Sequence, residues 1–306
     1  MSLLFHGLFF FIFLSASDFF LLFTAEGGQL ETLQWLKTQK GFKLNSVIIF
    51  GLACKSGNLE VLKWLRREGC PWNGLAYINA VTEDRLEVLK WLRSEGCRWN
   101  EEACTQAAFS GHLEMLKWLR SEGCPLHEKT CYRAAAGGGH LETLKWLRSE
   151  GCPWDEWTCY GAARGGHLDV LRWLIDNGCP WDKYTCQVAA CQGNLDVLKY
   201  AHENGCPWDE ETCYQAAEKS HLDVLKYAHE NGCPWDKWTC ESAARKGNLD
   251  VVKYAQENGC PCDESVCEAA AMRNHLDVFK WLIDNGCPYN VNVYYTRRAL
   301  TSLGLA

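Results

Sequence analysis

Asp155 to Pro180 reads DEWTCYGAARGGHLDVLRWLIDNGCP, and two helices joined by a turn account for the whole stretch. Asp155 is placed as an N-cap, its carboxylate able to accept from the first free backbone N–H groups. The spacing predicts a short helix over Glu156–Arg164, with Cys159, Ala162 and Ala163 on one narrow apolar stripe. Gly165-Gly166 breaks it. A second helix is predicted from about Leu168 to Asn177, with a wide apolar face of Leu168, Val170, Leu171, Trp173 and Leu174. Asp169 falls in its first turn, where negative charge suits the helix dipole. Gly178 occupies the position that asks for a left-handed residue, and Pro180 follows because it cannot continue a helix. Cys179, standing before proline, is driven to extended geometry. No β-strand is needed.

The same unit recurs through most of the chain. Gly-Cys steps fall at Cys70, Cys97, Cys124, Cys152, Cys179, Cys206, Cys233, Cys260 and Cys287, 27 residues apart with a single gap of 28, and all eight prolines directly follow one of these cysteines. A degenerate earlier copy around Gly41-Phe42 brings the count to ten. A fixed period in this range marks a stacked array. Five large apolar side chains per unit cannot offset the conformational entropy of ordering 27 residues, at about 1.5 kcal/mol each. Neighbouring units must therefore cover both flanks, which makes a solenoid. Leu195–Asp209 and Leu222–Asp236 are identical, the mark of a recent duplication, and the extra residue at Gly137-Gly138-Gly139 falls in a loop, which absorbs it cheaply.

The segments Ala107-Ala108…Gly111-His112-Leu113-Glu114 and Ala162-Ala163…Gly166-His167-Leu168-Asp169 resemble the AAxxGHxEVVxLLL segment of ankyrin repeats. Gly-Cys stands where that family has Gly-Ala, and Thr212-Cys213-Tyr214 stands near its Thr-Pro-Leu-His. The unit is about six residues shorter than the family's usual 33, at the place of the β-hairpin tip. It is most similar to short arrays of the Cys-Pro-Trp-Asp type found in protists, algae and large DNA viruses. The resemblance spans about Asp18 to Asn290. It implies an all-α, ankyrin-like solenoid of about ten helix-turn-helix repeats without β-hairpin tips, acting as a protein-binding scaffold. The expected organisation is an apolar leader over 1–17, the array over 18–290, and a capping helix and tail over 291–306, with Arg297 and Arg298 on the cap's polar face.

A net charge of −7 with both signs interspersed, and no basic run, gives no support to nucleic-acid binding. The partner that the resemblance implies is a protein, and the expected state is a monomer. The run Leu3–Leu14 (LLFHGLFFFIFL) is open to three readings. It has the length of a signal-peptide core but lacks a preceding Lys or Arg. A membrane anchor would need Leu3–Phe23 and would bury Asp18. It could equally pack on the first unit. The location expected is cytoplasmic, with membrane association through residues 3–23 as the alternative.

Nineteen cysteines invite a metal or disulfide reading. Nine form the Gly-Cys column; Cys104, Cys131, Cys159, Cys186, Cys213, Cys240 and Cys267 form a Thr-Cys column; Cys54, Cys191 and Cys262 stand apart. A His often follows, as at His167 and His221, yet Asn194 and Asn248 replace it while both cysteines of their units remain. Ligands of a metal would be lost together, and no Cys-x-x-Cys hook is present. Asn and His can both cap a helix start, the simpler reading of that position. Equivalent cysteines of adjacent units should lie about 8–10 Å apart, beyond the roughly 7 Å of a disulfide. No metal or cofactor is expected. The cysteines read as free, buried small hydrophobes in a reducing compartment, and a metal- or redox-handling role is the third reading.

Trp35, Trp64, Trp91, Trp118, Trp146, Trp173 and Trp281, with Tyr200, Tyr227 and Tyr254, share one place on the second helix and are expected in the core. Trp72, Trp99, Trp154, Trp181, Trp208 and Trp235 follow the proline position and should cover the seam between units. Positions that vary between units are expected to be solvated and to carry recognition. Along the first helices these are Trp157, Tyr184, Glu211 and Trp238 in one row, Tyr132, Tyr160, Gln187, Tyr214 and Glu241 in the next, and Arg164, Glu218 and Arg245 after the alanines. Their mix of aromatic and charged groups suits an interface with anchors and a polar rim. The competing reading is local packing, with Tyr160 and Tyr214 filling gaps between units. Gly137-Gly138-Gly139 follows a helix, so it is no phosphate loop, and no His has a third group placed for a triad. An enzyme is not expected.

Overall fold

The computed structural model describes residues 16–39, 42–97 and 102–305. Among them lie 21 helices and no strand: ten pairs, then a last helix, Tyr294–Ser302. The apolar run Leu3–Leu14 and Trp99 lie outside the described residues. The chain forms two compact units, one of residues 1–134 and 142–153, the other of 135–141 and 154–306.

In the second unit, the pair Glu156–Gly165 and Leu168–Asp176 shows why the repeat folds as it does. Asp155 is extended, and the equivalent Asp182, Asp236 and Asp263 carboxylates accept from the N–H groups of Tyr184, Trp238 and Ser265. Gly178, at φ 76°, turns the chain so that the Cys179 N–H closes back on the Leu174 carbonyl at 2.9 Å. Val170, Leu171 and Leu174 are fully buried against Cys159, Ala162 and Ala163. From Glu156–Gly165 on, each first helix of this unit packs on the first helix of the next repeat, an approach that the paired alanines permit. The first unit repeats this arrangement, with Ala107-Ala108 under Met115, Leu116 and Leu119. In the helix Tyr294–Ser302, Thr296, Ala299 and Leu300 are buried while Arg297 and Arg298 face out.

Three expectations need correction. The second-helix aromatics are half-buried, and Trp35 is 58 % exposed. Their position lies on the edge of the apolar stripe, where they meet the post-proline aromatics. Trp154 packs edge-on to Trp173 at 5.8 Å, and Trp208 and Trp235 do the same to Tyr227 and Tyr254. The post-proline column begins only at Trp72, so Trp35 has no such cover from an earlier repeat.

The His/Asn column does more than cap. Asn58 and Asn248 accept from backbone N–H groups of their own helices, but His167 and Asn194 make no cap bond. They reach back into the preceding repeat: His167 Nε2 lies 2.8 Å from the Gly137 carbonyl, Asn194 Nδ2 donates to Ala163 at 2.8 Å, and His275 Nε2 is 3.2 Å from Arg245 O. Each contacts a carbonyl at the end of a first helix; that of Ala163 also accepts from the Gly166 N–H at 3.2 Å. Asn and His interchange because either can reach that carbonyl.

Seventeen cysteines are free, all but Cys191 buried, but Cys262 and Cys287 form a disulfide with their Cα atoms 5.9 Å apart. The cause is register. A Gly-Cys thiol points at the carbonyl of the Asp 24 residues earlier, as Cys206 does at Asp182 (3.2 Å) and Cys233 at Asp209 (3.2 Å). Cys287 makes that contact with Asp263, and Cys262, directly before Asp263, occupies the column that holds Trp elsewhere. Comparing only equivalent columns missed this pairing.

Candidate functional site

The N-cap Asp and the buried Thr-Cys step orient each first helix. With Thr158, Thr185, Thr212 and Thr239 fully buried, the residue just before each points outward. Trp157 is 49 %, Tyr184 47 % and Trp238 52 % exposed, while Glu211 in the same row is half-buried. Trp157 and Tyr184 lie nearly parallel, ring centroids 6.3 Å apart, and Trp157 meets Tyr160 edge-on at 5.2 Å. The row is thus a partly exposed aromatic surface in its first two repeats and an isolated Trp two repeats on.

The next positions are mixed. Tyr214 and Glu241 are half-buried and linked through Arg245, whose guanidinium donates to the Tyr214 hydroxyl at 3.3 Å and lies 4.0 Å from the Glu241 carboxylate. Ser265 also donates to Glu241, at 3.0 Å. Glu218 sits between Lys219 (3.0 Å) and Lys246 (3.2 Å). The bond from Lys219 holds its carboxyl below the usual range, and Lys246 adds to that against partial desolvation. Arg164 is exposed at the end of its helix, and Tyr160 is half-buried.

Gln187 departs from expectation. It is buried, and its amide donates to Asp209 at 2.7 Å, so it is a tie between repeats. Partial burial pushes the Asp209 carboxyl up, but Lys183 (2.8 Å) and Gln187 outweigh that and hold it below the usual range. Tyr132 is half-buried in the first compact unit and lines neither of the clefts described next.

Two adjoining clefts gather the rest. One, of about 430 Å³, is lined by Glu210, Glu211, Tyr214, Asp236, Trp238 and Arg245. The other, of about 680 Å³, is lined by Tyr214, Glu218, Arg245, Lys246, Arg273 and His275. Tyr214 and Arg245 belong to both. Sequence reasoning named Glu211, Tyr214, Glu218, Trp238 and Arg245 but missed Glu210, Asp236, Lys246, Arg273 and His275. Asp236 and His275 stand at helix ends, as Asp155 and His167 do, and only the stacking of repeats brings Asp236 to the first cleft and His275 to the second. Among the described residues no group of three or more His, Cys, Asp or Glu is arranged to hold a metal ion.

Residues 104–185 match a family model of ankyrin repeats in three copies, and residues 213–265 match one of ankyrin repeats in many copies. With the recurring pairs of short helices, these matches decide the class. The chain is an ankyrin-like repeat protein. Comparison with curated proteins gave no match. Ankyrin repeats mediate protein–protein interactions, so the general role of this ankyrin-like array is that of a scaffold for a protein partner. Among its described residues no helix is long and apolar enough to cross a membrane.

Proposed function

We propose that the array is a non-catalytic, monomeric scaffold whose second compact unit recognises a protein through the outer faces of its first helices. Trp157, Tyr184 and Trp238 serve as anchors, with Tyr160, Arg164, Glu211, Tyr214, Glu218, Glu241 and Arg245 around them. The observation that carries this reading is the exposure of three large aromatics in one row of a protein whose core needs none of them. Exposed Trp in a setting of mixed charge is the usual makeup of a binding hot spot. Seventeen of the nineteen cysteines stay outside disulfides, which suits a reducing compartment even with the Cys262–Cys287 bond, and we assign the protein to the cytoplasm. Affinity capture with the full chain, wild type against Trp157→Ala/Trp238→Ala, tests the surface. The double variant should keep its far-UV dichroism and lose about 1–4 kcal/mol of affinity for the captured protein. Unchanged affinity, or lost helicity, would make both residues structural.

A further inference from the structure

The two clefts carry opposite charge. Glu210, Glu211 and Asp236 face Arg245 in the first, whereas Arg245, Lys246 and Arg273 face Glu218 in the second. The first lies where the residue after the N-cap Asp is acidic, as it also is at Glu156 and Glu264, whereas the two repeats beside it carry Lys. Lys183 bridges to the next repeat's Asp209 at 2.8 Å, and Lys237 bridges to Asp263 at 3.1 Å. The residue that should bridge to Asp236 is Glu210, so like charges meet where the neighbouring repeats have an ion pair. Glu211 stands beside them, its carboxylate accepting from the Gln215 amide at 2.6 Å. Trp238 adds an exposed ring, and a cation already lies against it, Lys237 Nζ being 5.1 Å from its centroid. At the other end of the same helices, Lys246 has Glu218 but Arg273 forms no ion pair among the described residues.

We infer that this double cleft binds an extended peptide segment of the partner, with a Lys or Arg in the Glu210–Glu211–Asp236–Trp238 hollow and an Asp or Glu against Arg245, Lys246 and Arg273. The spacing follows from the helix. Trp238 to Lys246 is eight residues, a rise of about 12 Å at about 1.5 Å each. An extended chain covers that distance in three or four residues at about 3.3–3.6 Å each. The ligand signature is therefore a basic residue and an acidic one three or four positions apart, running along the first helices. The arrangement is selective because a segment of reversed polarity would set like charges against both ends. This inference rests on the protein-binding reading above and refines it.

The test is selection of a displayed random peptide library on the full chain, followed by affinity measurement of an enriched peptide. Enrichment of the spaced basic–acidic pair is expected, with binding weakened about tenfold or more by Glu210→Lys and likewise by Arg273→Glu. Glu210→Lys copies the bridge that Lys183 and Lys237 make, so it should fold, which a thermal melt confirms. Enriched peptides without the charge rule, still lost on Trp157→Ala/Trp238→Ala, would overturn the inference and leave the scaffold reading intact. Peptides indifferent to all of these changes would overturn both.

Discussion

Two glycines of one repeat offer a comparison with its own control. Gly247 ends the helix Lys237–Lys246 at φ 77°, and Gly259 follows the helix Leu249–Glu257 at φ 85°. Alanine at either site must adopt the left-handed conformation, at a cost of roughly 1–2 kcal/mol. The surroundings differ. A Cβ on Gly259 would meet nothing within 4 Å, whereas one on Gly247 would fall 2.4 Å from His275 Nδ1. His275 would have to swing away and release the Arg245 carbonyl, forfeiting about 0.5–1.5 kcal/mol more. Gly247→Ala should therefore destabilise by about 1 kcal/mol more than Gly259→Ala, read as a lower urea midpoint at unchanged m-value. A double-mutant cycle isolates the cause: with His275→Ala already present, the excess cost at Gly247 should vanish. Equal losses at the two glycines, or an excess that survives the cycle, would refute the claim that the His/Asn column ties repeats together.

Ser220, at φ 66°, occupies the place of Gly247 in its own repeat, so Ser220→Gly should raise the denaturation midpoint by about 1 kcal/mol of stability. Reduction of Cys262–Cys287 opens a loop of 25 residues and should cost about 3 kcal/mol; Cys262→Ala should be insensitive to reductant, and equal melts with and without it in wild type would argue that the bond does not form. Burial pushes the Cys70 thiol from 9.0 up to about 11, so its contribution is fully present below about 9 and fades as pH rises towards 11; stability of wild type should fall over that window by more than that of Cys70→Ala. In the native state at pH 8, an alkylating reagent should label Cys191 first, since Cys159, Cys186 and Cys213 are buried, and a bond to the Gly-Cys thiol of the same repeat together with desolvation holds each thiol far above its usual range.

The fold was legible because its signals are local and repeat. Asp155, Gly166, Gly178 and Pro180 mark helix ends by chemistry confined to a few residues, and ten copies of the same marks leave little room for another architecture. What crosses from one repeat to the next was not legible. The partner of Asn194 is a carbonyl 31 residues back, and that of Gln187 a carboxylate 22 residues on, so both looked like local or exposed residues. Cys262 and Cys287 belong to different columns, and only the register between repeats shows that they meet. Of the recognition surface, the aromatic row was readable because Trp157 and Trp238 break a variable column. The clefts were not, since Glu210 shares its place with Glu156 and Glu264 and only stacking against Asp236 and Trp238 sets it apart.

The interchange of Lys and Glu at this place would let such an array change a ligand of the proposed kind at little cost to its fold. The bridges from Lys183 and Lys237 are made by side chains 49 % and 43 % exposed, and exposed pairs contribute at most about 1 kcal/mol. The ties that hold successive repeats lie elsewhere: the His and Asn bonds to helix-end carbonyls, the Gln187 bond to Asp209, and the alanine faces of the first helices. A Glu in the bridging place therefore removes little stability while it reverses the sign of the hollow beside it. Each first helix presents its outward row next to such a place, so the charge of each hollow can be set repeat by repeat. In this chain the repeat that begins at Glu210 lies between two that keep the bridge, and it is there that an acidic hollow and an exposed Trp238 coincide.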